Sequence, residues 1–190
     1  MTIDISNLAQ ENHRYAIHLA TQQDIIIYHN GTYNIAKISE YSPFETVDFW
    51  RNISLAVEIL LKACLLKHHI PFFKKRSNGR YGKKVTAKNN EWLNNLLEQR
   101  KIKYIAEINT GTIGTTLKYA KNDLFNKISI DPKKAQMLRQ IIYIIIRTRR
   151  NRNSHFFFTN QGQIDIAEVE MLFLPLLNQL EEIYAQDSKE

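Results

Sequence analysis

The stretch "SPFETVDFWRNISLAVEILLKACLLKHH" (residues 42–69) carries a long helical pattern, on which the predicted fold class rests. Ser42 is placed as an N-cap, Pro43 occupies the first helical position, and Glu45 has the spacing of a capping box. The apolar residues that recur at helical spacing are Val47, Trp50, Ile53, Ala56, Val57, Leu60, Leu61, Cys64 and Leu65. Pro71 ends the pattern. We therefore predict one long central helix with a buried Cys64.

Downstream of this helix the chain first becomes basic and irregular. Residues 71–90 have no periodicity and contain Asn78, Gly79 and Gly82, so we predict an exposed loop. A helix is expected from Glu91 or Trp92, and another over residues 113–126.

The last third of the chain carries two stronger helix signals. Asp131 and Pro132 form an N-cap and first-turn pair, which predicts a helix running towards the arginine-rich stretch that follows. Asp165 and Glu168 open the final helix, and Pro175 inside it predicts a kink or a short break.

The N-terminal forty residues allow two interpretations. Residues 13–23 have a helical pattern. Residues 24–38 surround an Asn30-Gly31 pair and fit either two strands of a hairpin or two helices. We favour helices there, because an isolated hairpin is marginally stable. The prediction is a single all-α domain over residues 1–190, with an N-terminal extension at 1–42 and a basic loop at 71–90.

Size and composition fit a compact cytoplasmic protein. A chain of 190 residues suits one domain, and 44% hydrophobic residues can fill a core. The only cysteine, Cys64, excludes an internal disulfide and a cysteine-rich metal site. Neither a signal-peptide pattern nor an apolar run of membrane-spanning length is visible. We expect a cytoplasmic location, no membrane contact and no cofactor.

Charge is distributed unevenly along the chain, whose net charge is +7. Residues 71–90 hold cations and no acid, namely Lys74, Lys75, Arg76, Arg80, Lys83, Lys84 and Lys88. Residues 132–164 also hold cations and no acid, namely Lys133, Lys134, Arg139, Arg147, Arg149, Arg150 and Arg152. The C-terminal stretch from residue 165 is acidic. This pattern favours a polyanionic partner, with nucleic acid first and an acidic protein or a membrane surface second, over a merely solvated surface.

The second basic block contains the candidate catalytic residues, in "IIYIIIRTRRNRNSHFFF" (residues 141–158). Cleavage of RNA by its own 2′-hydroxyl needs a group that transfers protons near neutral pH, which His155 can provide. It also needs fixed positive charge on the phosphate, which Arg150 can provide, while Asn151 can orient the histidine or contact the phosphate. This chemistry requires no metal. The alternative is that His155 is an ordinary surface residue and that the arginines complement a helix dipole.

Helix geometry constrains this site. On an unbroken helix Arg150 and His155 lie roughly 140° apart, whereas Asn151 and His155 share a face. Either the helix ends near Asn153 and Ser154, or a second copy of the chain completes the site; the sequence is compatible with both.

The stretch "RNRNSH" resembles the R-x(4–6)-H motif of the HEPN superfamily. Arg149 also has a suitable spacing, but Arg150 is the arginine followed by a polar side chain, Asn151. The stretch "SLAVEILLKACLL" (residues 54–66) resembles the early helix of that family, which carries a glutamate and then a lysine. The resemblance covers roughly residues 43–185 and includes the order of the helices.

The resemblance implies a bundle of four to six antiparallel helices, with the basic loop inserted after the long first core helix. It implies a homodimer with a composite active site, in which His155 is the acid–base group, Arg150 binds the phosphate and Asn151 supports them. Many members are metal-independent endoribonucleases that act as toxins or in phage defence, held in check by an antitoxin or other partner.

Further residues are assigned around this motif. Arg147, Arg149 and Arg152 are expected to contact the RNA backbone or to form a solvated face. The loop cations Lys74, Lys75, Arg76, Lys83 and Lys84 are expected to bind RNA or an acidic partner. Glu58 and Lys62, four residues apart, are expected to form a structural pair, with a role near the site as the alternative.

Two other functional classes remain open at this point. The chain could be a non-catalytic module that binds RNA or a protein through its basic blocks. It could also act only after an activator binds.

Overall fold

The structure, a computed structural model, describes residues 5–36, 41–70, 74–75, 108–109, 123–128, 130–145 and 164–186. In chain order the elements are α1 (Ile5–Thr21), β1 (Ile26–His29), β2 (Thr32–Ile35), α2 (Pro43–Lys67), β3 (Lys74–Lys75), β4 (Ile108–Asn109), α3 (Phe125–Lys127), α4 (Pro132–Ile145), α5 (Ile166–Glu168), a π-helical turn (Val169–Phe173) and α6 (Leu174–Ala185). The described part is mostly helical, which confirms the predicted class in its coarse form. The strands form two short antiparallel pairs, β1 with β2 and β3 with β4.

Helix α2 begins where the capping box predicts. The Ser42 hydroxyl accepts a hydrogen bond from the Glu45 amide at 3.3 Å, and the Glu45 carboxylate accepts one from the Ser42 amide at 2.8 Å. Two otherwise unsatisfied amides of the first turn are thus paired. The Ser42 hydrogen bonds hold the pKa of Glu45 below its usual value. The helix is buried over much of its length, and Cys64 is fully buried as predicted.

The core forms around α2, which contacts α1, α4 and α6. Trp50 is 1% exposed and its ring lies 5.5 Å from that of Phe173, measured between centroids. This contact joins the N-terminal half of α2 to the π-helical turn. Burial of such large side chains supplies most of the stabilisation of a helical packing of this kind.

The helical interpretation of residues 24–38 is wrong, because β1 and β2 form a hairpin around Asn30-Gly31, with Tyr28 opposite Tyr33. Both turn residues have positive φ, 50° and 78°, as this tight turn requires. The hairpin was disfavoured because an isolated hairpin is marginally stable. In the structure, however, it packs on the rest of the protein. Ile26 and Tyr33 are buried in the core, and the Asn178 side chain on α6 bonds both backbone groups of Tyr33.

The C-terminal helical stretch opens as predicted and is interrupted as predicted. Asp165 accepts a hydrogen bond from the Glu168 amide at 3.2 Å, which caps α5. A proline inside a helix clashes with the carbonyl four residues earlier. Here a π-helical turn directly precedes α6, and the Leu174 amide bonds the Val169 carbonyl across it. Pro175 therefore sits in the first turn of α6, where a proline is tolerated.

Two predicted helices fall largely or wholly outside the described residues. The helix expected from Glu91 or Trp92 lies wholly outside, and of the one expected over 113–126 only the last residues are described, where Leu124 and Phe125 are buried. In the described ranges, no helix combines the length and the apolar character that crossing a membrane would need.

Candidate functional site

Helix α4 leads the chain towards the predicted catalytic motif. The Asp131 carboxylate accepts hydrogen bonds from the amides of Lys133 and Lys134, both at 3.0 Å, so the predicted N-cap is confirmed. The buried residues of α4 follow at steps of three and four, and they are Ala135, Leu138, Ile142 and Ile145. This stripe holds α4 against the core, where it contacts α2 and α6.

The predicted catalytic residues Arg150, Asn151 and His155 lie outside the described residues, as do Arg147, Arg149 and Arg152. The description of α4 ends at Ile145, which is 3% exposed, two residues before the first of these arginines. The structure therefore defines the helix that precedes the motif, and the roles of the motif residues stay predictions.

Glu58 and Lys62 form the pair that their spacing predicts. The Lys62 ammonium donates to the Glu58 carboxylate at 2.7 Å. The Glu58 side chain is 6% exposed and that of Lys62 is 15% exposed. A charge buried to this degree is costly unless it is paired, and such pairs contribute little net stability. Their position in the buried middle of α2 is thus a reason to consider a role beyond folding.

The loop cations are only partly described. Lys74 and Lys75 form β3, whose backbone pairs with Asn109 and Ile108 of β4. The first part of the loop predicted over residues 71–90 is therefore paired with a later part of the chain. The sequence has no strand periodicity there, so this pairing was not predicted. Arg76, Lys83 and Lys84 lie outside the described residues.

A buried polar cluster joins the two ends of the chain, and the sequence analysis did not predict it. Glu181 of α6 is 6% exposed, and its carboxylate oxygen Oε1 accepts a hydrogen bond from the Tyr28 hydroxyl at 2.7 Å. The same oxygen lies 2.6 Å from Nε2 of His13 on α1. The His13 ring stacks on Tyr184 with centroids 4.1 Å apart. We call His13, Tyr28, Glu181 and Tyr184 the Glu181 cluster.

The residues of the Glu181 cluster are better suited to stabilising the fold than to catalysis. Burial, together with the hydrogen bond to Glu181, raises the pKa of Tyr28, and burial also raises the pKa values of Tyr33 and Tyr184. These phenols therefore stay protonated, and the Tyr28 hydroxyl donates a hydrogen bond to the Glu181 carboxylate. Burial likewise raises the pKa of the nearby Cys64 thiol, which makes Cys64 unsuitable as a nucleophile.

His68, at the C-terminal end of α2, is a second buried group that bonds the C-terminal helix. Its Nε2 lies 3.0 Å from the Ile183 carbonyl, which fixes Nε2–H as the donor. Within the described part of the chain Nδ1 has no hydrogen-bond partner. Burial lowers the pKa of His68, and the neighbouring cations Lys67 and Lys127 lower it further. His68 is therefore held neutral.

The His13–Glu181 pair does have a sequence signal. His13 lies four residues after Ala9 and three before Ala16, which places a polar ring on the buried stripe of α1. Glu181 lies four residues after the buried Leu177 on α6. A charged or titratable residue on an apolar stripe requires a partner. The two residues are 168 positions apart, so the stripe pattern indicates that partners exist without identifying them.

No grouping of three or more metal-ligand side chains occurs among the residues that the structure describes. Comparison with known proteins identified no relative: no family model matches the chain, and neither a curated protein nor a solved structure is significantly similar to it.

Proposed function

We propose that this protein is a metal-independent endoribonuclease of the HEPN type, with Arg150, Asn151 and His155 as its active-site residues. The observation that carries the proposal is the spacing of these three residues directly after an acid-free amphipathic helix. The described part of that helix, α4, buries one stripe on the core and contacts α2. The same helix α2 carries the partly buried Glu58–Lys62 pair, which lies in the second stretch on which the resemblance rests.

The proposed reaction is attack of a ribose 2′-hydroxyl on the adjacent phosphodiester. His155 removes the proton from the 2′-hydroxyl or donates one to the leaving 5′-oxygen. The guanidinium of Arg150 binds the phosphate through paired hydrogen bonds and stabilises the charge that develops on it. Asn151, four residues before His155 in the sequence, orients the imidazole. The products are a 2′,3′-cyclic phosphate and a 5′-hydroxyl.

We propose further that the active site is completed by a second copy of the chain. Arg150 and His155 lie roughly 140° apart on a continuous helix, so they do not face one phosphate from a single straight helix. Two motifs related by a two-fold axis can place the arginine of one copy beside the histidine of the other. Such an enzyme fits the role of a cytoplasmic toxin or phage-defence effector controlled by a protein partner.

The test is cleavage of a mixed RNA pool in the presence of EDTA. The wild-type protein is expected to cut the RNA, whereas His155→Ala and Arg150→Ala are expected to lose at least about a hundredfold in rate, as removal of a general acid–base group or an anion-binding group does. His69→Ala and Arg51→Ala are the matched controls, since both residues are exposed and lie on or beside α2. Equal rates for all five proteins would contradict the proposal. RNA binding without products would instead assign the non-catalytic alternative.

A mixing experiment tests the composite site. If each site takes Arg150 from one copy and His155 from the other, mixed dimers of Arg150→Ala and His155→Ala contain one intact site. Random exchange should then restore about a quarter of the wild-type activity, because half of the dimers are mixed and each has one of two sites. No recovery after exchange would show that both residues act within one chain or that the chain is not a dimer.

A further inference from the structure

The side of α4 that faces away from the core is exposed and mostly polar, with Met137, 52% exposed, as an apolar residue on it. Lys133, Gln136, Gln140 and Tyr143 follow one another at steps of three, four and three, so they lie along one side of the helix. All four are exposed, and Tyr143 is 44% exposed. From Lys133 to Tyr143 this side extends about 15 Å along the helix axis. Arg139 borders it. We call these five residues the α4 face.

The α4 face carries positive charge within an acid-free stretch of the sequence. No aspartate or glutamate occurs in residues 132–164. In the described ranges the side chains of Lys133, Lys134 and Arg139 make no salt bridge. The nearest acid in sequence, Asp131, is occupied by the backbone amides that it caps. Exposed cations without acidic neighbours create a field that attracts polyanions.

We propose that the α4 face binds a single strand of RNA and leads it to the Arg150–His155 site. This inference rests on the proposed function, because it names the path of the RNA substrate. Lys133 and Arg139 bind phosphates. Tyr143 stacks on a base, and the amides of Gln136 and Gln140 bond base edges or sugar hydroxyls.

The composition of the α4 face favours a single strand over duplex RNA. In an A-form duplex the bases are stacked inside, and the major groove is too narrow for side chains to read. An exposed tyrosine flanked by amides and cations is suited to unstacked bases on a charged backbone. The charge also disfavours a second copy of the chain as the occupant. A two-fold contact over this face would place an acid-free surface against itself.

The experiment measures binding without cleavage. In a His155→Ala background, a labelled unstructured RNA is titrated by fluorescence anisotropy at several salt concentrations. Lys133→Gln combined with Arg139→Gln is compared with Arg14→Gln combined with Arg51→Gln. The control pair removes the same charge from exposed positions on α1 and α2, outside the acid-free block. Tyr143→Leu tests the aromatic contact separately. Circular dichroism melting verifies that each variant is folded.

The test pair is expected to weaken binding about tenfold and to lower the slope of log Kd against log salt by about 1.4, which is two lost phosphate contacts on a single strand. Tyr143→Leu is expected to weaken binding about tenfold with an unchanged slope, because it removes stacking and no charge. The control pair should keep a slope close to that of the background. Duplex RNA should bind more weakly than the single strand.

Three binding results would overturn the inference. They are equal effects of the test and control pairs, no measurable RNA binding by the background protein, and preference for duplex RNA or for an acidic protein over the single strand. The proposed function is separable from this result. A wild-type protein that binds RNA through the α4 face but makes no product would lose the nuclease assignment and keep the α4 face. If the test pair leaves cleavage unchanged at low RNA concentration, the nuclease assignment is kept and the α4 face is not the path of the RNA.

Discussion

The Glu181 cluster and the α4 face use polar side chains in opposite ways. Glu181 is 6% exposed, and its carboxylate accepts a hydrogen bond from Tyr28 and pairs with His13. On the α4 face, Lys133 and Arg139 are exposed and make no salt bridge in the described ranges. Buried polar groups with partners hold the fold, whereas exposed cations without partners are available to a ligand. This difference in burial and pairing distinguishes the side chains that stabilise the fold from those that are available to bind a ligand.

The largest expected effect on stability comes from removing the carboxylate at the centre of the Glu181 cluster. Glu181→Ala leaves the Tyr28 hydroxyl and the His13 ring without their shared acceptor. The free energy of unfolding should fall by about 3 kcal/mol. For a chain of this size that lowers Tm by roughly 6–12 °C, measured by calorimetry or circular dichroism.

The neighbouring Glu182 is the matched control. It is exposed, and among the described residues its side chain accepts a hydrogen bond only from Gln179, so Glu182→Ala should change the stability by less than about 0.5 kcal/mol. If Glu181→Ala costs no more than Glu182→Ala, the buried cluster does not hold the two chain ends together.

A smaller effect is expected where α6 holds the hairpin. Asn178 accepts a hydrogen bond from the Tyr33 amide at 2.7 Å and donates one to the Tyr33 carbonyl at 3.1 Å. Asn178→Ala should lower the stability by about 2 kcal/mol, since two net hydrogen bonds are lost. Hydrogen exchange of the Tyr33 amide should accelerate more than that of amides in the middle of α2. Uniform acceleration across both regions would indicate global destabilisation and would refute the local role.

The smallest effect is a pH dependence that arises from His68. Its pKa is lowered from 6.5 by burial and by the cations Lys67 and Lys127. Below about pH 6.5 the unfolded chain therefore binds a proton that the folded chain resists, so the free energy of unfolding falls as the pH falls. His68→Gln, whose amide can still donate to the Ile183 carbonyl, removes this contribution.

Urea titrations at about pH 7.5 and about pH 5 measure the difference. The wild-type protein should lose more stability than His68→Gln over this interval. The subtraction cancels the titration of the groups that the two proteins share. Equal losses in the two proteins would show that His68 is not held neutral in the fold.

Local patterns were sufficient to predict the helix starts. The Ser42–Glu45 capping box, the Asp131 cap and the Asp165 cap each depend on residues two to four positions apart, and all three are present. The hairpin was the less favoured of the two interpretations of residues 24–38, because the side chain that stabilises it, Asn178, lies on α6. Its bonds to Asn178 span 145 positions, and no local spacing encodes them. The Asn30-Gly31 pair correctly indicated a hairpin turn. The argument against a hairpin was that it would be isolated, and the sequence does not show that it packs on α6.

The candidate site divides in the same way. The Glu58–Lys62 pair follows from spacing on one helix and is confirmed. The His13–Glu181 pair brings together α1 and α6, so the sequence could indicate only that two polar residues lie on apolar stripes. Arg150, Asn151 and His155 lie outside the described residues, and their assignment still depends on their spacing and on the chemistry of their side chains.

The nature of the cleaved ends tests the central claim most directly. A defined RNA substrate is incubated with the wild-type protein in EDTA, beside the same sequence carrying 2′-deoxyribose at the cleaved position. We predict a 2′,3′-cyclic phosphate and a 5′-hydroxyl from the RNA, no cleavage at the deoxyribose, and no products with His155→Ala. Cleavage at the deoxyribose, or equal product from His155→Ala, would contradict the account.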